Sequence, residues 1–268
     1  MPSRIGFDGN RENSCYQTAS FVSLFLFPSP HIKRLLNTRT ARLRNRSTAE
    51  NSARRFLINE IDKIKDGQQI SVEGFLRLRN FLKDVPYAKE FSTSSQNDAA
   101  EWLEAMLQVL GQSSLICLSP NNQKSLILNL PIQANQSIQS AFEQSETHFS
   151  TPPPLLLINL QRPIKTTKLG SVVSRNDPVR IDPWIKISVG PKTIEFSLSS
   201  AIVMNPARNH YSAYVQRPDD KQWFFLSDIN GLCQQLSPKF QEGILNSSSL
   251  KHQSLRRNAH LLIYVPVE

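Results

Sequence analysis

Apolar residues recur at helical spacing through the first 110 residues. Ala19, Val22, Phe25 and Leu26 share one helix face, and Pro28 stops the run. Leu57, Ile58, Ile61 and Ile64 form a second stripe; Val72, Phe75, Leu76, Arg79 and Leu82 form a third. Trp102, Leu103, Met106, Leu107 and Leu110 form the clearest one, with Gly111 placed to end it. Between the first two stripes, residues 37–52 are basic and rich in Thr, Ser and Asn, which reads as a loop or an exposed helix.

The pattern changes near residue 115. Short runs at 125–130, 155–160, 184–189, 194–198, 201–204, 211–216, 222–226 and 260–265 read as strands. Arg217, Pro218, Asp219, Asp220 and Lys221 have turn chemistry and predict a hairpin between two of them. Thr151 with Pro152, Pro153 and Pro154 marks a hinge into the strand region. A helical half followed by a strand half, without regular alternation or internal repeat, predicts an α+β fold with an antiparallel sheet. The expectation is a single domain over 1–268, helical over 1–111 with a basic insert at 31–52, and β-rich over 112–268.

Composition narrows this further. Hydrophobic residues are 39% of the 268, enough for a sizeable core. Three cysteines exclude a disulfide scaffold and a four-cysteine zinc site, and they fit a reducing, intracellular compartment, cytoplasmic or nuclear. The longest apolar run, 19–27, is interrupted by Ser20 and Ser23 and falls well short of the roughly twenty residues a membrane span needs. Asp8 and Glu12 before it and Pro28 and Pro30 after it make it a poor signal sequence.

The net charge of +9 is uneven. Residues 1–90 hold sixteen Lys and Arg against nine Asp and Glu, a net of +7; the remainder nets +2. Lys33, Arg34, Arg39, Arg42, Arg44 and Arg46 concentrate the excess in residues 31–46. That segment is either a solvated face or the contact for an acidic second partner, a membrane or nucleic acid, or a localisation signal.

Cys15 opens the first predicted helix, where backbone amides and the helix dipole favour a thiolate, so it is a candidate nucleophile. A nearby imidazole can take the thiol proton. Among five histidines His210 is the best base, since it begins a strand between aromatic positions; His31, His148, His252 and His260 read as surface or structural. The base needs an orienting partner. Asp228 follows the strand paired with that of His210, so both meet at one end of a hairpin.

The segment Gly6-Phe7-Asp8-Gly9-Asn10-Arg11-Glu12-Asn13-Ser14-Cys15-Tyr16-Gln17 resembles the cysteine box of the ubiquitin-specific proteases, roughly G-L-x-N-x-G-N-T-C-Y-x-N. Gln96-Asn97-Asp98-Ala99-Ala100-Glu101-Trp102-Leu103 is similar to that family's Q-Q-D-A-x-E-F-L helix, and residues 153–162 to its P-x-x-L-I-x-x-L-x-R strand. Asn209-His210-Tyr211-Ser212-Ala213-Tyr214-Val215 resembles G-H-Y-T-A-Y-V, residues 223–228 resemble W-Y-x-F-D-D, and Ala259-His260-Leu261-Leu262-Ile263-Tyr264 resembles A-Y-x-L-x-Y. The motifs run in the family's order over residues 6 to 264.

The resemblance implies a papain-like fold, with a helical thumb packed against an antiparallel β-sheet palm and a cleft between them. It implies a deubiquitinase in which Cys15, His210 and Asp228 hydrolyse the bond after the C-terminal glycine of ubiquitin through an acyl-enzyme. Ser227 stands where the family's usual third triad residue does, so it is the alternative to Asp228. The resemblance assigns the oxyanion hole to Asn10 and the Cys15 backbone N–H, with Asn13 as the other side-chain donor, and ubiquitin-tail binding to Gln96, Asp98 and Tyr211. Glu12 replaces a family glycine. No paired cysteines stand between Glu101 and Pro152, so the expectation is reduced fingers, no metal and no cofactor. The expected partner is ubiquitin or a ubiquitin-like modifier conjugate, the expected state a monomer. An acidic modifier such as SUMO suits the positive charge, and a modifier-binding scaffold is the non-enzymatic alternative. The brevity of the domain fits an effector of an intracellular bacterium or virus acting in a host cytoplasm.

Overall fold

A computed structural model describes residues 14–37, 46–65, 72–119, 123–145, 147–162, 164–166, 172–174, 177–237, 239–244 and 250–267. The chain begins with helices: α1 (Cys15–Phe25), α2 (Pro30–Asn37), α3 (Thr48–Lys65), α4 (Val72–Leu82), a 3-10 turn at Pro86–Ser92, and α5 (Ala99–Leu110). Strands β1 (Ile116–Ser119), β2 (Gln123–Ser125) and β3 (Leu128–Pro131) lead to α6 (Ile138–Gln144). Then come β4 (His148–Phe149), β5 (Leu156–Gln161), β6 (Ile164–Thr166), β7 (Val172–Ser174), β8 (Trp184–Val189), β9 (Lys192–Asn205), β10 (His210–Gln216), β11 (Trp223–Ser227) and β12 (Leu232–Gln235). Helices α7 (Phe240–Gly243) and α8 (Leu250–Asn258) precede the last strand, β13 (Ala259–Pro266). Among the described residues no helix is long and apolar enough to cross a membrane.

The mixed α/β architecture follows the predicted order, helices first and sheet second. Helix α1 departs from a one-faced stripe: all eleven of its residues are buried. A helix buried all round must satisfy its polar side chains internally. Ser20 Oγ donates to Tyr16 O at 2.8 Å and Ser23 Oγ to Ser20 O at 2.8 Å, while Ser200 Oγ of β9 donates to Ser23 O at 2.8 Å. The serines that break up the apolar run thus bond back onto α1 itself, and the sheet reaches the helix backbone through the Ser200 hydroxyl. In α4 the buried face carries Phe75, Leu78, Arg79 and Leu82, and Leu76 is exposed. Arg79 is tolerated there because it faces the hydroxyl of Tyr16.

Strand β9 organises the sheet. Its first half pairs antiparallel with β8, its second half with β10, and β13 runs along residues 196–203. The pieces predicted at 194–198 and 201–204 are thus one strand; Ser199 and Ser200 interrupt the apolar pattern without interrupting the backbone. The predicted hairpin joins β10 and β11, with Ala213 opposite Leu226 and Gln216 opposite Trp223. At its turn Arg217 pairs with Asp220, and Asp220 Oδ1 accepts the Gln222 N–H at 3.1 Å.

The basic segment is part of the helical half. Residues 30–37 form α2 and residues 48–52 belong to α3; residues 38–45 lie outside the described residues. Arg46 is not a free cation. Its guanidinium donates to Val109 O at 2.6 Å and to Gln108 O at 2.8 Å in the last turn of α5, the latter carbonyl shared with the Gly111 N–H.

Candidate active site

Cys15 is the first residue of α1 and is 1% exposed. Donors face its sulfur from three residues, Gln96, Tyr211 and, with the smallest effect, the Tyr16 backbone. Gln96 Nε2 lies 3.4 Å from Sγ, and the backbone N–H of Tyr211, at the start of β10, favours the thiolate. Burial outweighs them and pushes the thiol up from its ordinary value, and the nearby Asp228 adds to the rise. The helix N-terminus therefore does not leave Cys15 a resting thiolate, as its position alone predicts.

His210 is brought beside this site by backbone geometry. The turn after β9 ends at Asn209, whose φ of 45° is left-handed; Asn adopts that region more readily than most residues. Its place in the resembling motif is a glycine. Continuing the β10–β11 ladder by three residues brings His210 level with residues 227–229. His210 Nε2 lies 2.9 Å from Ser227 Oγ and 3.4 Å from Asp228 Oδ1. Ser227 Oγ also accepts the Ile229 N–H at 3.3 Å. His210 Nδ1 is buried and has no hydrogen-bond partner among the described residues.

The electrostatics of this group come from burial. Desolvation, with the charge of Arg208, lowers the His210 pKa. Desolvation raises Asp228 to about 6, against the partial offset of the backbone amides of Asp228 and Ile229. Neutral thiol and neutral imidazole are both favoured at rest.

Gln96, Asp98 and Tyr211 meet where the start of α5 faces β10. Asp98 caps α5: its Oδ1 accepts the N–H of Ala100 at 2.7 Å and of Glu101 at 3.2 Å. Its Oδ2 lies 2.9 Å from His260 Nε2. His260 thus belongs to the neighbourhood of the site, which its sequence setting did not signal. Gln96 is also closer to the chemistry than a tail-binding residue need be, since its amide meets the nucleophile itself. Asn10 and Asn13 lie outside the described residues. Among the described residues no group of three or more His, Cys, Asp or Glu side chains is arranged to hold a metal ion. A cavity of about 730 Å³ lies at the other end of α1, between Phe27 and the turn at Arg217, and contains none of the predicted site residues.

Comparison with known proteins bears on this arrangement. The family described as "Ubiquitin carboxyl-terminal hydrolase" matches residues 8–264. No curated protein matches the sequence. Among solved structures, the SAGA DUB module Ubp8/Sgf11/Sus1/Sgf73 bound to monoubiquitin matches with a TM-score of 0.71 and 14% identity, covering 100% of this chain and 71% of the other. The same module bound to ubiquitin aldehyde matches equally, at 0.71 and 14% over the same shares. A yeast SAGA DUB module matches at 0.64 and 14%, covering 100% of this chain and 70% of the other.

Proposed function

Because this chain belongs to the ubiquitin carboxyl-terminal hydrolase family, and is thereby a cysteine-dependent ubiquitin hydrolase, we propose that Cys15, His210, Ser227 and Asp228 form its catalytic group and cut the bond after the C-terminal glycine of ubiquitin. The observation that supports this assignment is the convergence of α1, β10 and the end of β11. It sets the thiol against Tyr211 and the neighbouring imidazole against Ser227 and Asp228.

Sγ attacks the glycine carbonyl carbon as its proton passes to Nδ1 of His210, the ring nitrogen with no partner among the described residues. Since burial favours the neutral thiol and imidazole, transfer accompanies attack. The imidazolium formed is held at Nε2 by Ser227 Oγ and stabilised by the Asp228 carboxylate. The backbone N–H of Cys15 and, by resemblance, Asn10 donate to the oxyanion. His210 returns the proton to the leaving amine, leaving a thioester. Water, deprotonated by His210, then releases the ubiquitin carboxylate and the free thiol. The substrate sets the place of action where ubiquitin conjugates occur, cytoplasm or nucleus.

Asp228 must be ionised to stabilise the imidazolium, so kcat/KM rises with pH through about 6. The test is hydrolysis of a fluorogenic C-terminal amide of ubiquitin, run beside its SUMO counterpart. The wild type hydrolyses the ubiquitin substrate, and Cys15→Ala and His210→Ala each lose at least about a thousandfold. Turnover of the SUMO substrate alone moves the specificity to that modifier. Ubiquitin binding without turnover supports the scaffold reading.

A further inference from the structure

Strand β13 is irregular where it meets α5. Ala259 pairs with Val203 and Leu261 with Ile202, so His260 is an extra residue between two rungs. A bulge re-aims the side chain it carries, and this one brings His260 to the start of α5. Its Nε2 lies 2.9 Å from Asp98 Oδ2. Its ring meets that of Tyr211 edge-on, with centroids 5.6 Å apart.

The start of α5 is held from three sides. Ser20 Oγ of α1 donates to Ala99 O at 3.3 Å, the Ala99 N–H faces the phenol of Tyr211 on β10, and His260 of β13 holds the Asp98 carboxylate. Asp98 uses Oδ1 for the helix cap, and its Oδ2 lies 2.9 Å from the histidine nitrogen. Two residues earlier, Gln96 donates to the Cys15 sulfur. The groups facing the pair are mostly acidic: Glu101 on α5, with Glu90 and Glu104 beyond it, and the Tyr211 phenol. His260 lies against this acidic group, and its contact with Asp98 helps hold the Asp98 carboxyl below the usual range.

We propose that His260 is a positioning residue for the nucleophile: by clasping Asp98 it fixes the start of α5 against the palm and so holds the Gln96 amide on the Cys15 sulfur. The residue acts through Asp98 and Gln96 and touches no reacting atom. The motif that residues 259–264 resemble carries tyrosine here, so the histidine–carboxylate contact departs from that motif. The pair is partly exposed, at 22% and 34%, so its contribution to overall stability is small; its effect is on geometry at the thiol.

This proposal rests on Cys15 being the nucleophile. Its test measures the pH dependence of Cys15 alkylation by iodoacetamide, read at the Cys15 peptide by mass spectrometry, together with kcat and KM on the fluorogenic ubiquitin amide. The variants are His260→Ala, His260→Gln and Asp98→Asn; Asn preserves the helix cap while removing the charge. His260→Ala and Asp98→Asn shift the Cys15 titration to higher pH and lower kcat by about tenfold, with KM of His260→Ala within about threefold of wild type. His260→Gln, which keeps a donor, restores most of kcat, and the double variant is no worse than the worse single one. Wild-type titration and kcat in folded His260→Ala and Asp98→Asn overturn the proposal, as does a loss of kcat that tracks only the melting temperature. Alkylation needs no ubiquitin, so a shifted titration without ubiquitin turnover would sink the substrate reading and leave the clasp standing.

Discussion

Asp228 lies 3.4 Å from the His210 ring and is 2% exposed, which raises its pKa to about 6. Between the unfolded carboxyl value of about 3.9 and that value, the folded state binds more protons than the unfolded one. Stability therefore falls as pH rises through this window, by about 3 kcal/mol in total. Asp228→Asn is expected to raise unfolding stability at pH 7.5 by up to about 3 kcal/mol, with the gain fading towards pH 4. Denaturant titrations at the two pH values check this, and a variant less stable than wild type at pH 7.5 would refute it. The same change lowers kcat/KM by about a hundredfold, and Ser227→Ala by about tenfold, in proportion to a charged against a neutral hydrogen bond. Of these roles, the sequence disclosed Cys15, His210 and the pair at 227–228 as candidates. Which of the pair approaches His210 more closely depends on the turn after β11, and periodicity says nothing about a turn. Asn209 tells a similar story. Its φ of 45° makes Asn209→Gly neutral or stabilising, while Asn209→Val costs about 1–2 kcal/mol and misplaces His210; melting temperature and kcat/KM together distinguish these outcomes.

At the scale of elements, α5 was the most legible because both of its ends are written in local chemistry. Asp98 caps its start and Gly111, at φ 103°, its end. Beyond its chain neighbours, the nearest atom a methyl group at Gly111 would meet is Arg46 Nη2 at 3.8 Å, so Gly111→Ala is strained by backbone conformation rather than by crowding. It should cost about 1–2 kcal/mol in chemical denaturation, and a neutral result would mean that the helix end relaxes. Arg46, which donates to carbonyls in the last turn, came from a segment that composition reads as a solvated face or a partner contact, since a sequence separation of more than sixty residues hides where it binds. The bulge at His260 was hidden for the same reason: bulges arise from pairing with a distant strand, here β9. The hairpin of β10 and β11 was legible because its turn residues are adjacent in the chain.

At the scale of the whole molecule, α1 is the shared core of the two halves, in contact with α5 on one side and with β9 and β10 on the other. Trp102 in the helical half and Trp223 in the sheet are both fully buried, whereas Trp184 is 51% exposed. The wild-type protein should show one denaturant midpoint by tryptophan fluorescence and by far-UV circular dichroism, the latter dominated by the helical half; separated midpoints would show that thumb and palm are independent units. The central claim concerns the thiol at the start of α1. Its most direct test is incubation with a ubiquitin carrying a C-terminal propargylamide, followed by intact-mass measurement and peptide mapping. The account predicts a single covalent ubiquitin adduct at Cys15, lost in Cys15→Ala and strongly slowed in His210→Ala. Absence of an adduct on folded wild-type protein, or an adduct at Cys117 or Cys233, would contradict it.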